Sequence, residues 1–253
     1  MARRKLIAAN WKMNKTLTEA KEFVETLKSG REGQTACDLL ICPQFMAIPR
    51  VCGVLDGTGI SVGAQDLFWE ESGAFTGEIS ASMIENAGAT YVLVGHSERR
   101  HIMGEGNDTV ALKLKAAIRS SLTPVLCVGE KIEQREAGTH ESWVREQLES
   151  ALEDLSVDEM TRIVVAYEPV WAIGTGKTAT SADAVGMHAF IRGWVRDKFR
   201  PDVAGRLRIQ YGGSVKPSNA AELLSEEEID GALIGGASLE VESFMAIARA
   251  VSG

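Results

Sequence analysis

The chain has 253 residues, 45% of them hydrophobic and 25% charged, ordinary globular proportions that exclude disorder. Its 27 basic and 35 acidic residues leave a formal charge of −8, which argues against a general binder of nucleic acid or anionic membranes. A local positive pocket for a small anion stays open.

Short β-rich runs alternate with helical patterns from end to end. The strand candidates are residues 5–10, 38–42, 60–65, 91–95, 123–129, 162–168, 206–213 and 230–236. Most are too continuously apolar for half-exposed antiparallel strands and suit a parallel sheet covered by helices. Between them, residues 17–28 place Leu17, Ala20, Phe23, Val24 and Leu27 on one stripe, behind Thr16 and Glu19 at capping-box spacing. Residues 181–199 repeat the pattern with Val185, His188, Ile191, Trp194, Val195 and Phe199, and residues 239–251 do so with Leu239, Phe244, Ile247 and Val251. Eight units of roughly 32 residues each, with no linker or low-complexity break, predict an α/β chain in which residues 1–253 form one (β/α)8 barrel domain. A doubly wound open sheet is the alternative, but the first strand ends AANWKMN, without the glycine turn such a fold uses.

No apolar run approaches the ~18 residues of a membrane span, and the N-terminus lacks an h-region of ~7–15 apolar residues, so no export signal is expected. Cys37, Cys42, Cys52 and Cys127 show no CxxC spacing, and the four histidines His96, His101, His140 and His188 offer no HExxH. Reduced core thiols and a cytoplasmic protein needing no metal are the expectation.

Nearly every strand run ends in polar, ionisable or glycine residues: Asn10 and Lys12, Gln65, His96-Ser97-Glu98, Gly129-Glu130, Glu168, Gly212-Gly213-Ser214 and Gly235-Gly236. In a parallel barrel these ends converge on one rim, where barrel enzymes carry their sites. Singly each has a bland explanation, a solvated lysine or a plain turn; the repetition is what that explanation handles poorly. The glycine pairs in YGGSV (211–215) and LIGGASL (233–239) leave backbone N–H groups open before a helix, a pattern that serves either phosphate binding or close-packed turns. Residues 168–181, EPVWAIGTGKTATS, form a long connection with apolar Val170, Trp171, Ala172 and Ile173, as a mobile lid would. Residues 65–80 carry Phe68, Trp69 and Phe75, whose apolar tip needs burial either in a partner subunit or on its own barrel.

Taken together, AANWKMN, GAFTGEIS, VGHSERR, CVGE, AYEPVWAIGTGKTAT, YGGSV and DGALIGGASL resemble the triosephosphate isomerase family, in order and over the whole chain. The resemblance implies a homodimer of (β/α)8 barrels that interconverts dihydroxyacetone phosphate and glyceraldehyde 3-phosphate in glycolysis and gluconeogenesis, without cofactor or metal. It implies that Glu168 is the base moving a proton between two carbons and that His96 is the neutral electrophile. Lys12 would supply positive charge and Asn10 would orient the substrate. Backbone groups at Gly174, Ser214, Gly235 and Gly236 would hold the phosphate, with Ser97 and Glu98 in support. Thr76, with Phe75 and Gln65, would belong to the dimer interface. The chain departs from the family pattern at Asp66, where asparagine is common, at Met103, where an aromatic is frequent, and at CPQF (42–45) in place of CPPF.

Physical chemistry makes these roles intelligible. Proton abstraction beside a carbonyl creates an enediolate, which needs a base at carbon and fixed donors at the oxygens. A histidine opening a helix is kept neutral by the N-terminal dipole. Two rival classes are a Schiff-base aldolase built on Lys12 and a scaffold that kept the fold without the chemistry. Retention of Asn10, Lys12, His96 and Glu168 together favours catalysis.

Overall fold

The computed structural model describes residues 3–30, 36–173 and 179–251. Eight strands form a closed parallel barrel in sequence order: β1 (Leu6–Asn10), β2 (Asp38–Cys42), β3 (Ser61–Ala64), β4 (Tyr91–Val94), β5 (Thr123–Val128), β6 (Val164–Tyr167), β7 (Arg208–Tyr211) and β8 (Gly231–Ile234). The expected (β/α)8 barrel is the observed one. Several strands are shorter than the apolar runs that predict them, because runs such as 206–213 and 230–236 continue into the turns that carry the polar rim.

Strand alternation explains why the runs are apolar throughout. Leu6, Ala8, Leu40, Cys42, Leu93, Val125, Cys127, Val164, Ala166 and Leu233 fill the barrel interior. Their neighbours Ile7, Ala9, Leu39, Ile41, Val92, Leu126 and Val165 face outward into a second core shared with the helices. Both faces are buried, so polar residues gather at the strand ends; within β7 the buried Gln210 is accommodated by donating its amide to the Leu6 and Ala232 carbonyls. Closure depends on the β1–β8 pair, which begins with Leu6 opposite Gly231. Gly231 has φ +140, and a Cβ there would lie 1.9 Å from the Leu6 carbonyl oxygen, so only glycine completes the ring.

The helix Leu17–Ser29 starts at the predicted capping box: Thr16 N–H donates to Glu19 Oε2 at 2.7 Å, and Glu19 N–H donates to Thr16 Oγ1 at 3.4 Å. It buries Ala20, Phe23, Val24 and Leu27. Leu17 differs from its expected place on that stripe and is 45% exposed. A helical side chain leans over the turn preceding its own Cα, and the first residue of a helix has no such turn to cover. The helix Ser181–Lys198 buries His188, Ile191, Trp194 and Val195 as its periodicity predicts, with Val185 and Phe199 half-buried. The last helix, Val241–Arg249, begins two residues later than its pattern because a 3-10 turn, Gly236–Ser238, intervenes. Cys37, Cys42 and Cys127 are buried and Cys52 is half-buried. Among the described residues no helix is long and apolar enough to cross a membrane.

Candidate active site

The site is assembled at the C-terminal ends of β1, β4, β6, β7 and β8. Asn10 is the last residue of β1, and two residues later Lys12 adopts φ +53, a left-handed conformation that costs a non-glycine residue on the order of 1–3 kcal/mol. Two side chains hold it there. Asn10 Oδ1 accepts the Lys12 N–H at 3.0 Å, and Gln65 Nε2 donates to the Lys12 carbonyl at 2.8 Å and to the Cys42 carbonyl at 3.0 Å. So constrained, Lys12 extends its ammonium to within 2.7 Å of Glu98 Oε1. That ion pair suits a cation serving an anionic ligand better than an amine nucleophile.

Glu98 belongs to a short helix, Ser97–His101, that opens directly after β4 with His96 as its N-cap. The Glu98 N–H donates to His96 Nδ1 at 3.3 Å. A ring nitrogen that accepts a hydrogen bond carries no proton, so the imidazole proton sits on Nε2, which lies 3.1 Å from Glu168 Oε1. Glu168 follows β6 and is 2% exposed. Its Oε2 accepts the Ser97 N–H at 2.9 Å, and its Oε1 accepts the Ser97 hydroxyl at 3.2 Å. One turn of backbone therefore places an imidazole N–H, a serine hydroxyl and a backbone N–H around a single buried carboxylate. Behind it, burial and then the Glu168 charge push the Cys127 thiol well above its ordinary range, so it stays protonated.

A cavity of about 270 Å³ opens onto this cluster, lined by Asn10, Lys12, His96 and Glu168 together with Gly212–Lys216, after β7, and Gly235–Ala237, after β8. Both glycine-rich turns are tied down from beneath. Asn219 Oδ1 accepts the Lys216 N–H at 2.8 Å while its Nδ2 donates to the Ser214 carbonyl at 3.0 Å. The Ser238 hydroxyl donates to the Gly235 carbonyl at 2.7 Å or to that of Ile234 at 2.9 Å. Lys12 lies against the second turn: a Cβ on Gly235 would lie 3.2 Å from Lys12 Cε.

Of the residues singled out from the sequence, Asn10, Lys12, His96, Glu168, Ser214, Gly235 and Gly236 all line this one cavity. Ser97 and Glu98 touch them directly, whereas Gly174 lies outside the described residues. Nearby, Trp171 Nε1 donates to Glu130 Oε1 at 2.8 Å, which accounts for one of the apolar residues of the 168–181 connection. Phe75 and Thr76 lie away from the cavity in a run, residues 70–78, that is exposed throughout. Phe75 is 42% exposed and rests on Phe68, centroids 4.6 Å apart, and Phe68 stacks on Trp69. Sequence reasoning missed Asn219 and Ser238, and placed Gln65 on the polar rim and at the dimer interface without its hold on Lys12. The signal for Asn219 was its position in the first turn of the helix Pro217–Ser225, where a short polar side chain reaches back to the preceding backbone. Among the described residues no three His, Cys, Asp or Glu side chains are grouped to hold a metal ion.

Comparison with known proteins agrees with this geometry. The family model described as triosephosphate isomerase matches residues 5–251. The chain is 51% identical over 242 residues to a triosephosphate isomerase of Roseiflexus sp. (strain RS-1), covering 96% of this chain and 95% of the relative. It is 51% identical over 245 residues to that of Moorella thermoacetica, covering 97% and 98%. It is 48% identical over 247 residues to that of Citrifermentans bemidjiense, covering 98% of each. A parallel barrel closed on itself, a carboxylate and an imidazole meeting at its rim, and a match running from the first strand to the last helix lead to one conclusion: the chain belongs to the triosephosphate isomerase family.

Proposed function

We propose that this barrel interconverts dihydroxyacetone phosphate and D-glyceraldehyde 3-phosphate through an enediolate, with Glu168 as the base that carries the proton between the two carbons. The observation that carries this reading is the convergence of Glu168, His96 and Lys12, from the ends of three strands, on one cavity that two glycine-rich turns also line. The turns suit a phosphate, because glycines leave their backbone N–H groups open and Lys12 adds charge from the side. That fixes the substrate at one end and presents its carbonyl and hydroxyl carbons to the catalytic cluster.

The hydrogen bonds give a rationale for the order of events. His96 Nε2–H faces Glu168 Oε1 at 3.1 Å. When a substrate oxygen takes that N–H instead, the imidazole becomes the electrophile and the same exchange strips a donor from Glu168. A carboxylate that loses a donor is more basic, so engagement of the carbonyl and activation of the base are coupled. Lys12 and Asn10 line the same cavity, where a fixed positive charge stabilises the developing enediolate.

We further propose that the chain works as a single catalytic domain, in a cytoplasmic homodimer. The sparse cysteines, without CxxC spacing and mostly buried in the core, suit a reducing compartment. The exposed aromatic tip around Phe75 and Thr76 suits burial in a second copy, with Gln65 at the root of the same loop. The test is a coupled assay with glyceraldehyde 3-phosphate, comparing the wild type with Glu168→Gln. Turnover by the wild type that is lost in the variant is expected. A folded but inactive wild type would mean that the barrel serves binding alone.

A further inference from the structure

Next to the site lies a buried ion cluster that the isomerisation does not use. Asp66 and Lys113 are 6% and 2% exposed. Lys113 Nζ lies 2.6 and 2.8 Å from the two oxygens of Asp66 and 2.5 Å from Glu105 Oε1. Arg99 Nε lies 2.9 Å from Asp66 Oδ2 and 2.6 Å from Glu105 Oε1. Asp66, Glu105 and Lys113 are desolvated together and depend on one another for solvation, while Arg99, whose side chain is 34% exposed, joins them from the solvent side. Burial pushes the Asp66 carboxyl above its ordinary value, opposed chiefly by Lys113 and in smaller part by Arg99, while Glu105 adds to the rise.

The members of this cluster are chain neighbours of the site. Asp66 follows Gln65, whose amide holds the Lys12 carbonyl. Arg99 follows Glu98, whose carboxylate pairs with the Lys12 ammonium, and Ser97, one residue earlier, holds Glu168 by backbone and hydroxyl. The contacts close on themselves: Gln65 to Lys12, Lys12 to Glu98, along the chain to Arg99, across to Asp66, and along the chain back to Gln65. Cutting any link leaves the Lys12 segment and the Ser97–Glu98 turn joined by fewer contacts.

We propose that Asp66 is a positioning residue that completes this ring and thereby sets where Lys12 stands relative to the Ser97–Glu98 turn that holds Glu168. It touches no substrate and acts through Gln65 and Arg99. The inference rests on the catalytic roles proposed for Lys12 and Glu168.

The test measures kcat and KM for Asp66→Ala, Asp66→Asn and Arg99→Met, with circular dichroism and sedimentation velocity under the assay conditions. Arg99→Met cuts the ring but leaves the Asp66–Lys113 pair in place. Displacement of catalytic groups by a fraction of an ångström lowers kcat, so Asp66→Ala and Arg99→Met are each expected to lose about tenfold in kcat while folded. The double variant is expected to lose little more than either alone, because one ring is broken once. Asp66→Asn keeps one acceptor oxygen, which can still serve Arg99, and is expected to stay within about threefold of wild type. If Asp66→Ala does not fold, Arg99→Met and Asp66→Asn decide. Unchanged kcat in folded Asp66→Ala and Arg99→Met, beside an inactive Glu168→Gln, overturns this proposal and leaves the catalytic assignment standing. Loss of kcat that tracks dissociation and returns at high protein concentration also overturns it, since Asp66 would then act on assembly. An inactive wild type removes the catalytic reading and this proposal with it.

Discussion

Gly212 leaves the space that the Glu168 side chain fills: a Cβ at Gly212 would lie 2.8 Å from Glu168 Cγ and 3.1 Å from the Tyr167 carbonyl oxygen. The first glycine of YGGSV therefore serves the carboxylate on the neighbouring strand as well as the turn it opens. Gly212→Ala is expected to fold and to displace Glu168 from Ser97 and His96. A loss of about tenfold or more in kcat should follow, because catalytic groups tolerate little misplacement. Steady-state kinetics beside a circular dichroism spectrum checks this. Wild-type turnover in the variant would show that Glu168 is not held by that wall.

His188 carries a pH dependence of stability. It is fully buried between barrel and helix, with Nδ1 3.1 Å from the Glu228 carbonyl oxygen and Tyr167 edge-on at 5.9 Å. Burial pushes its pKa down to about 4 from an ordinary 6.5, with the Arg192 charge acting in the same direction. Between these values the unfolded chain binds a proton that the folded chain refuses, so the folded state is at full advantage above pH 6.5 and loses it as the pH falls toward 4. The gap corresponds to about 3 kcal/mol at its acid end. Urea-unfolding free energies from pH 7.5 to pH 4.5 should fall more steeply for the wild type than for His188→Asn, which cannot titrate. Parallel profiles would assign the acid sensitivity to other groups.

Thr76 tests the dimer. Residues 70–78 are exposed in a single chain, and Phe75 remains 42% exposed even while resting on Phe68. If this tip is buried in a partner, a long cation at its centre has no counter-charge there, and burying it unpaired is prohibitive. Thr76→Arg is expected to sediment as a monomer at concentrations where the wild type is a dimer. An unchanged sedimentation coefficient would place the interface elsewhere.

Much of this could be read along the chain. The barrel shows as eight strand runs, because strands buried on both faces must be apolar throughout and polar residues are pushed to their ends. The positions of Asn10, Lys12, His96, Glu168 and the two glycine turns follow from the same logic, since all lie at strand ends. The capping box at Thr16 and the buried face around Phe23 are equally local. Leu17 was misplaced because periodicity gives a residue's angle around a helix but not whether a turn precedes it.

What the chain order could not supply was distance between residues far apart in it. That Glu168 rests on Ser97, that Gln65 holds the Lys12 backbone, that Gly212 yields room to Glu168, and that Asp66 meets Lys113 and Arg99 all depend on strand register and barrel closure. Local propensity and pattern are set by each residue and its near neighbours, and these the sequence determined by itself. Contacts across the barrel depend on how all eight strands close together, and only the tertiary structure decided them.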